Sequence, residues 1–292
     1  MSIFTQNVIQ SEVRTGTTVG TTCKHIIQDD MKCEKYFSSC CPLLFSKALG
    51  FTLAEVLITL LIIGVVAAIT IPTLLQNQQD KATVAALKKA YSTLSSAYTL
   101  AVNENGSPEN WFGLGDDRGA MVSNLKPYLN VLKDCSAPNA TGCFKENESY
   151  KNLDATNIGI VDNWGRSLLL VDGSSIHAAG VLWADCTSAF STGSTAALAS
   201  ICGYYYVDVN GFKSPNIMGK DTFFFYLTKY GILPAGSDVE TWTSFTGACL
   251  NSSGAFLEGT GCTSWILQND NLDYLKCPST LKNGWAGQTS CN

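Results

Sequence analysis

Three sets of residues in this 292-residue chain have types and spacings that could do chemistry. Glu55 is a lone carboxylate near the start of an apolar run, Phe51 to Ile71. An unpaired charge is costly in such a run, and its natural chemistry is to neutralise a cation in a low-dielectric layer. Asp208, Asn210, Asn216 and Asp221, in DVNGFKSPNIMGKD, supply hard oxygen atoms with backbone carbonyls between them. Calcium takes about six to eight such oxygens, so this stretch is a candidate calcium loop. The same residues also read as an Asn210-Gly211 turn with Asp221 opening the next element, and the acidic last residue of an EF-hand is missing. The third set is the cysteines, twelve in all. Cys23, Cys33, Cys40 and Cys41 precede the apolar run; Cys135, Cys143, Cys186, Cys202, Cys249, Cys262, Cys277 and Cys291 follow it. The eight include no C-x-x-C pair and the chain has only two histidines, which leaves zinc poorly served and disulfides in an oxidising compartment well served. Sequence neighbours are the expected pairs: 135–143, 186–202, 249–262 and 277–291. The four early cysteines have no zinc spacing either.

No constellation for catalysis is present. The chain has no G-x-S-x-G, H-E-x-x-H or phosphate-cradling glycine loop. His25 lies in the N-terminal segment, and His177, in GSSIHAAG, reads as a surface or turn residue. Asp162, Asp172 and Asp185 are spaced as strand or turn residues, not as an acid/base pair. A net charge of −5 and a pI near 5.0 argue against nucleic acid as a partner.

These residues need elements to position them. Phe51–Ile71 is long enough to cross a bilayer at about 1.5 Å per residue. Beyond Pro72 the apolar residues become periodic. Val84, Leu87, Tyr91, Leu94, Tyr98 and Ala101 recur at steps of three and four, one face of an amphipathic helix. Asn-Glu-Asn-Gly-Ser-Pro, from Asn103, should end it. Strands are expected at 167–173, 179–185, 203–209 and 221–232, with Asp172-Gly173 as a hairpin turn. The charge is split. Residues 1–50 hold five Lys/Arg against four Asp/Glu, and the rest fourteen against twenty. That favours leaving the N-terminal side in the cytoplasm, though the bias rests mainly on Lys35 and Lys47.

Gly50-Phe51-Thr52-Leu53-Ala54-Glu55, followed by VLITLLIIGVVAAITIPTLL, resembles the processing site of type IV prepilins and of their secretion-system relatives, the pseudopilins. In that family a membrane peptidase cuts after the glycine, the new N-terminal phenylalanine is N-methylated, and a glutamate stands four residues further on. The resemblance implies cleavage between Gly50 and Phe51, methylation of Phe51, and Glu55 as a partner for the new amine within or between subunits. It implies that Gly64 and Pro72 weaken the helix where it must loosen during assembly; the plainer reading is that Pro72 ends the span. The close match covers about Lys47 to Gln76.

The expected fold is α+β and pilin-like. Residues 1–50 form a cleaved leader and 51–104 a long helix with its span at 51–71. Residues 105–232 form a head with an antiparallel sheet on the helix, and 233–292 a cysteine-rich, disulfide-stapled C-terminal region. The expected function is a pilin or minor pilin, held by membrane lipid in the inner membrane with its head outside the cytoplasm. It would then polymerise with other subunits into a surface filament. Its partners would be the prepilin peptidase/methyltransferase and an inner-membrane assembly platform; no cofactor is expected beyond the candidate calcium. Two alternatives stay open: a pseudopilin of a type II secretion system in a periplasmic pseudopilus, and an unprocessed membrane-anchored binding protein or enzyme. A 50-residue leader is longer than usual for the family, and Met31 could begin a shorter one.

Overall fold

The computed structural model describes residues 50–112, 117–136, 141–144, 150–158, 166–181, 185–187, 195–237, 239–240, 242–250, 258–281 and 288–291. The chain divides into two compact units, Met1–Leu57 and Ile58–Asn292. In the first, the described residues are Gly50, Phe51 and Thr52 in non-regular conformation and the opening turn of helix α1. That helix runs unbroken over Leu53–Asn105, through both Gly64 and Pro72. Pro72 has no N–H to give the Ala68 carbonyl, so one helical bond is missing within the apolar stretch. Thr70 and Thr73 return their hydroxyls to the Val66 and Thr70 carbonyls, each at 2.9 Å, which is how hydroxyls are tolerated on an apolar helix.

In the second unit the helix changes character along its length. No residue of α1 before Val84 is buried, and the apolar window long enough to cross a membrane has no buried residue at all. From Val84 onward Leu87, Ala90, Leu94, Ala97, Tyr98 and Ala101 are buried in the main core. The change follows the sequence: continuous apolar residues give way to a stripe of period 3.6.

That stripe lies in one core with a six-stranded antiparallel sheet of order β1-β4-β5-β6-β7-β8. The strands are β1 (Val131–Cys135), β4 (Arg166–Leu170), β5 (Ser175–Val181), β6 (Ile201–Asp208), β7 (Thr222–Thr228) and β8 (Gly231–Pro234). A separate two-stranded ladder joins β2 (Tyr150–Lys151) to β3 (Asn157–Ile158). Alternation along β7 builds both faces. Phe223, Phe225 and Leu227 join α1 in the main core, while Phe224 and Tyr226 face a second cluster with Phe144, Tyr150 and Tyr206. Tyr91 of α1 stacks on Phe225 with ring centroids 5.9 Å apart, and the Tyr98 hydroxyl donates to the Lys229 carbonyl at 2.8 Å. Helix α2 (Arg118–Leu125) is capped by Asp117, which accepts from the Ala120 amide at 3.0 Å, and buries Met121, Val122 and Leu125.

The C-terminal region is not wholly irregular. It contains α3 (Phe245–Ala248) and α4 (Thr263–Asn269), joined by stacking of Phe245 on Trp265 at 4.6 Å. Ion pairs tie this region to α1: Lys276 to Asp80 at 2.8 Å, and Lys88 to Asp270. The fold is thus the expected α+β arrangement, with three differences of detail. The second strand lies at 175–181, about four residues earlier than expected, and the expected strand 221–232 is two strands separated at Lys229-Tyr230. The third is the edge strand β1 together with the β2–β3 ladder, none of which the sequence reading contained.

Candidate functional site

The segment 50–55 sits at the threshold of α1. Thr52 is the last residue before the helix, and Glu55 lies in its first turn. The first turn of any helix leaves amide donors without intrahelical partners. Here Thr52 Oγ1 accepts from the Glu55 amide at 3.2 Å, and Glu55 Oε2 accepts from the Thr52 amide at 2.8 Å and from the Thr52 hydroxyl at 2.9 Å. This reciprocal pair is a capping box. It places the carboxylate over the helix N-terminus, where the peptide dipoles favour negative charge. Gly50 and Phe51 precede it outside any regular element and are exposed, Phe51 to 85%. The peptide bond between them is therefore open to attack from outside the chain. Hydrolysis there would leave a cationic amine on Phe51, next to Thr52, whose amide and hydroxyl already hold Glu55. Thr52 was not among the residues singled out from the sequence, yet its signal is local: T-x-x-E directly ahead of an apolar run.

Gly64 and Pro72 lie further along α1, apart from this cluster. A Cβ on Gly64 would meet nothing within 4 Å, so nothing inside the described chain requires glycine there.

The eight later cysteines lie in the head as four disulfides: Cys135–Cys143, Cys186–Cys202, Cys249–Cys262 and Cys277–Cys291. Cys23, Cys33, Cys40 and Cys41 and His25 lie outside the described residues, as does Asp162. His177 is not a surface residue. It lies on β5, 2% exposed, with Nδ1 2.8 Å from the Ser167 hydroxyl across the β4–β5 ladder and its ring stacked on Tyr206. Burial, with Arg118 adding to it, pulls its pKa down to about 3, so it is neutral. Ser167 is itself fully buried, so this serine–histidine pair is core packing with no access for a substrate.

Asp208, Asn210, Asn216 and Asp221 do come together, at the β6–β7 connection. Asp208 Oδ1 accepts from the amides of Asn210 (3.1 Å) and Gly211 (2.8 Å), and its Oδ2 accepts from the Tyr150 hydroxyl (2.7 Å). Asp221 Oδ1 accepts from the Ile217 amide (2.5 Å), and its Oδ2 from the Asn216 amide (2.9 Å) and Asn210 Nδ2 (3.2 Å). The aspartates are 0% and 2% exposed. Burial, with the Asp221 charge adding to it, pushes the Asp208 carboxyl up to about 7; burial also raises Asp221. Gly211 sits at φ +63°, and a Cβ there would lie 2.1 Å from the Gly173 carbonyl, so the connection rests directly on the β4–β5 turn. Among the described residues no group of three or more His, Cys, Asp or Glu is placed to hold a metal ion.

Compared with known proteins, residues 45–71 match the family model of the prokaryotic N-terminal methylation motif, the prepilin-type cleavage and methylation segment. No curated protein and no solved structure matches the chain.

Proposed function

We propose that this chain, which carries a prepilin-type methylation segment at residues 45–71, is a pilin or minor pilin. In this reading a membrane peptidase cuts it after Gly50 and methylates Phe51. The product waits in the inner membrane with its head outside the cytoplasm, and an assembly platform then polymerises it through α1. The observation that carries the reading is the division of one helix into two environments. Its first part is apolar and bare; its second part is built into the head. A bare apolar helix of this length needs lipid or other copies of itself to cover it. Gly64, with open space where a Cβ would stand, suits close approach of a neighbouring helix. Glu55 is then the acid that meets the new Phe51 amine, either in its own subunit or in the next. Its capping box with Thr52 keeps it paired until that amine exists.

The test is intact-mass and N-terminal peptide analysis of the protein from native membranes and sheared surface filaments. The expected product starts at methylated Phe51, with eight cysteines oxidised. Gly50→Ala should block cleavage, and Glu55→Ala should leave membrane insertion and cleavage intact while reducing filament yield. A mature chain that still carries residues ahead of Phe51 would refute the proposal and favour an anchored, unprocessed protein. A product confined to the periplasm and co-purifying with secretion components would assign it to a pseudopilus instead.

A further inference from the structure

The β6–β7 connection gathers the side chains of a cation loop but turns them the wrong way for one. Each of the four carboxylate oxygens of Asp208 and Asp221 accepts a hydrogen bond from an N–H or O–H group of the chain. Asn210 offers Asp221 its Nδ2 donor, while its Oδ1, the atom a cation would use, is buried without a partner. With all four carboxylate oxygens turned to donors of the chain, the oxygens left for an ion fall short of the about six to eight that calcium gathers. We infer that this connection is a clasp that closes without a divalent cation, its two buried aspartates replacing the ion by accepting directly from the backbone. What it holds is specific. Tyr150 brings in the β2–β3 ladder, which also bonds residues 216–218 through the Lys151 amide and carbonyl, and Gly219 lies against Gly259 of the C-terminal region. Two segments distant in sequence therefore meet on one loop.

The two aspartates are not equivalent in this clasp, and that asymmetry separates it from a cation site. At Asp208 one oxygen faces two amides and the other faces a hydroxyl. An asparagine can keep its oxygen on the amides and donate its NH2 to the Tyr150 hydroxyl, which also accepts. At Asp221 both oxygens face N–H donors only. An asparagine there must point an NH2 at an N–H, leaving buried donors unmatched. In a calcium site, by contrast, either change removes a ligand charge and weakens binding.

The experiment is thermal unfolding of the full-length chain in mild detergent at pH 7, with EDTA or with about 5 mM calcium chloride, above the roughly 0.1–1 mM that fills weak extracytoplasmic sites. Calcium should move the wild-type midpoint by less than about 1 °C. Asp208→Asn should melt within about 2 °C of wild type or above it, and Asp221→Asn at least about 5 °C below, the loss expected from unmatched buried donors. Terbium, whose emission tyrosine excites, should give no saturable signal through Tyr150. A calcium-dependent rise of several degrees, or terbium emission abolished by Asp208→Asn, would overturn the inference, as would an Asp221→Asn protein as stable as wild type. If Asp221→Asn does not accumulate, the calcium and terbium titrations of the wild type decide the question alone.

Discussion

Replacing one leucine at two places on the same helix tests whether α1 really serves two environments. Leu94 is fully buried in the main core, whereas Leu61 is 67% exposed. Leu94→Ala removes about three methylene equivalents from the core, about 2.4 kcal/mol of transfer free energy at about 0.8 kcal/mol each. Incomplete collapse of the cavity adds about 1 kcal/mol, for a total of about 3.4 kcal/mol. For a unit of this size each 1 kcal/mol moves the midpoint by about 2–4 °C, so the fall should be roughly 7–14 °C. Leu61→Ala removes the same atoms from a position with no intramolecular packing to lose, so the midpoint should move by less than about 1 °C. The assay is thermal unfolding of each full-length variant in detergent, followed by tryptophan fluorescence; Trp111 and Trp265 lie in the main core. Membrane extraction of both variants provides the second readout, and both should remain in the membrane fraction. Equal destabilisation by the two changes would mean that the first part of α1 also packs on the head. No loss from Leu94→Ala would mean that its second part is not core. Either result refutes the division.

Two further predictions concern the head. Asp208, with its pKa raised from 3.8 to about 7, holds a proton in the folded state that the unfolded chain releases, so it lowers stability as pH rises from about 4 to 7. His177, lowered from 6.5 to about 3, does the reverse: below about pH 6.5 the unfolded chain binds a proton that the folded chain refuses. The Asp208 and His177 slopes, each up to about 1.4 kcal/mol per pH unit, oppose one another between about pH 4.5 and 6.5, and Asp221, also raised by burial, acts on the side of Asp208, so urea unfolding should not show the loss of stability on acidification that His177 alone would cause. Asp208→Asn should shift the balance toward the histidine, so that its stability falls on acidification relative to wild type. Removing the Cys249–Cys262 disulfide by double alanine substitution frees a short loop and should cost about 3 kcal/mol, read by urea unfolding together with loss of the near-ultraviolet signal of the neighbouring aromatic pair.

The parts of the fold that could be read from sequence were those written in local pattern. The helix announces itself by composition up to Ile71 and by period from Val84, and β6 and β7 by apolar runs too short for helices. The start of β5 was hidden because SSIHAA carries small and polar residues. His177 is acceptable in a core only because Ser167 and the Phe144 and Tyr206 rings surround it. Strand β1, exposed along its middle, takes its strand state from pairing with β4 more than thirty residues away. At the candidate site, Thr52 was within reach because its bonds span three residues. Tyr150 was not, because it meets Asp208 across 58 residues and no local spacing encodes that contact.

The pairing of α1 with the far end of the chain also sets an order of events. Along the head most sheet neighbours are close in sequence, so β4 to β8 can zip as hairpins soon after they emerge. Lys88 and Asp80, however, find Asp270 and Lys276 nearly two hundred residues later. As the chain is made, the end of the stripe nearest Val84 stays partly uncovered until the C-terminal region has emerged. Such distant contacts form slowly, and the waiting state is open to wrong partners.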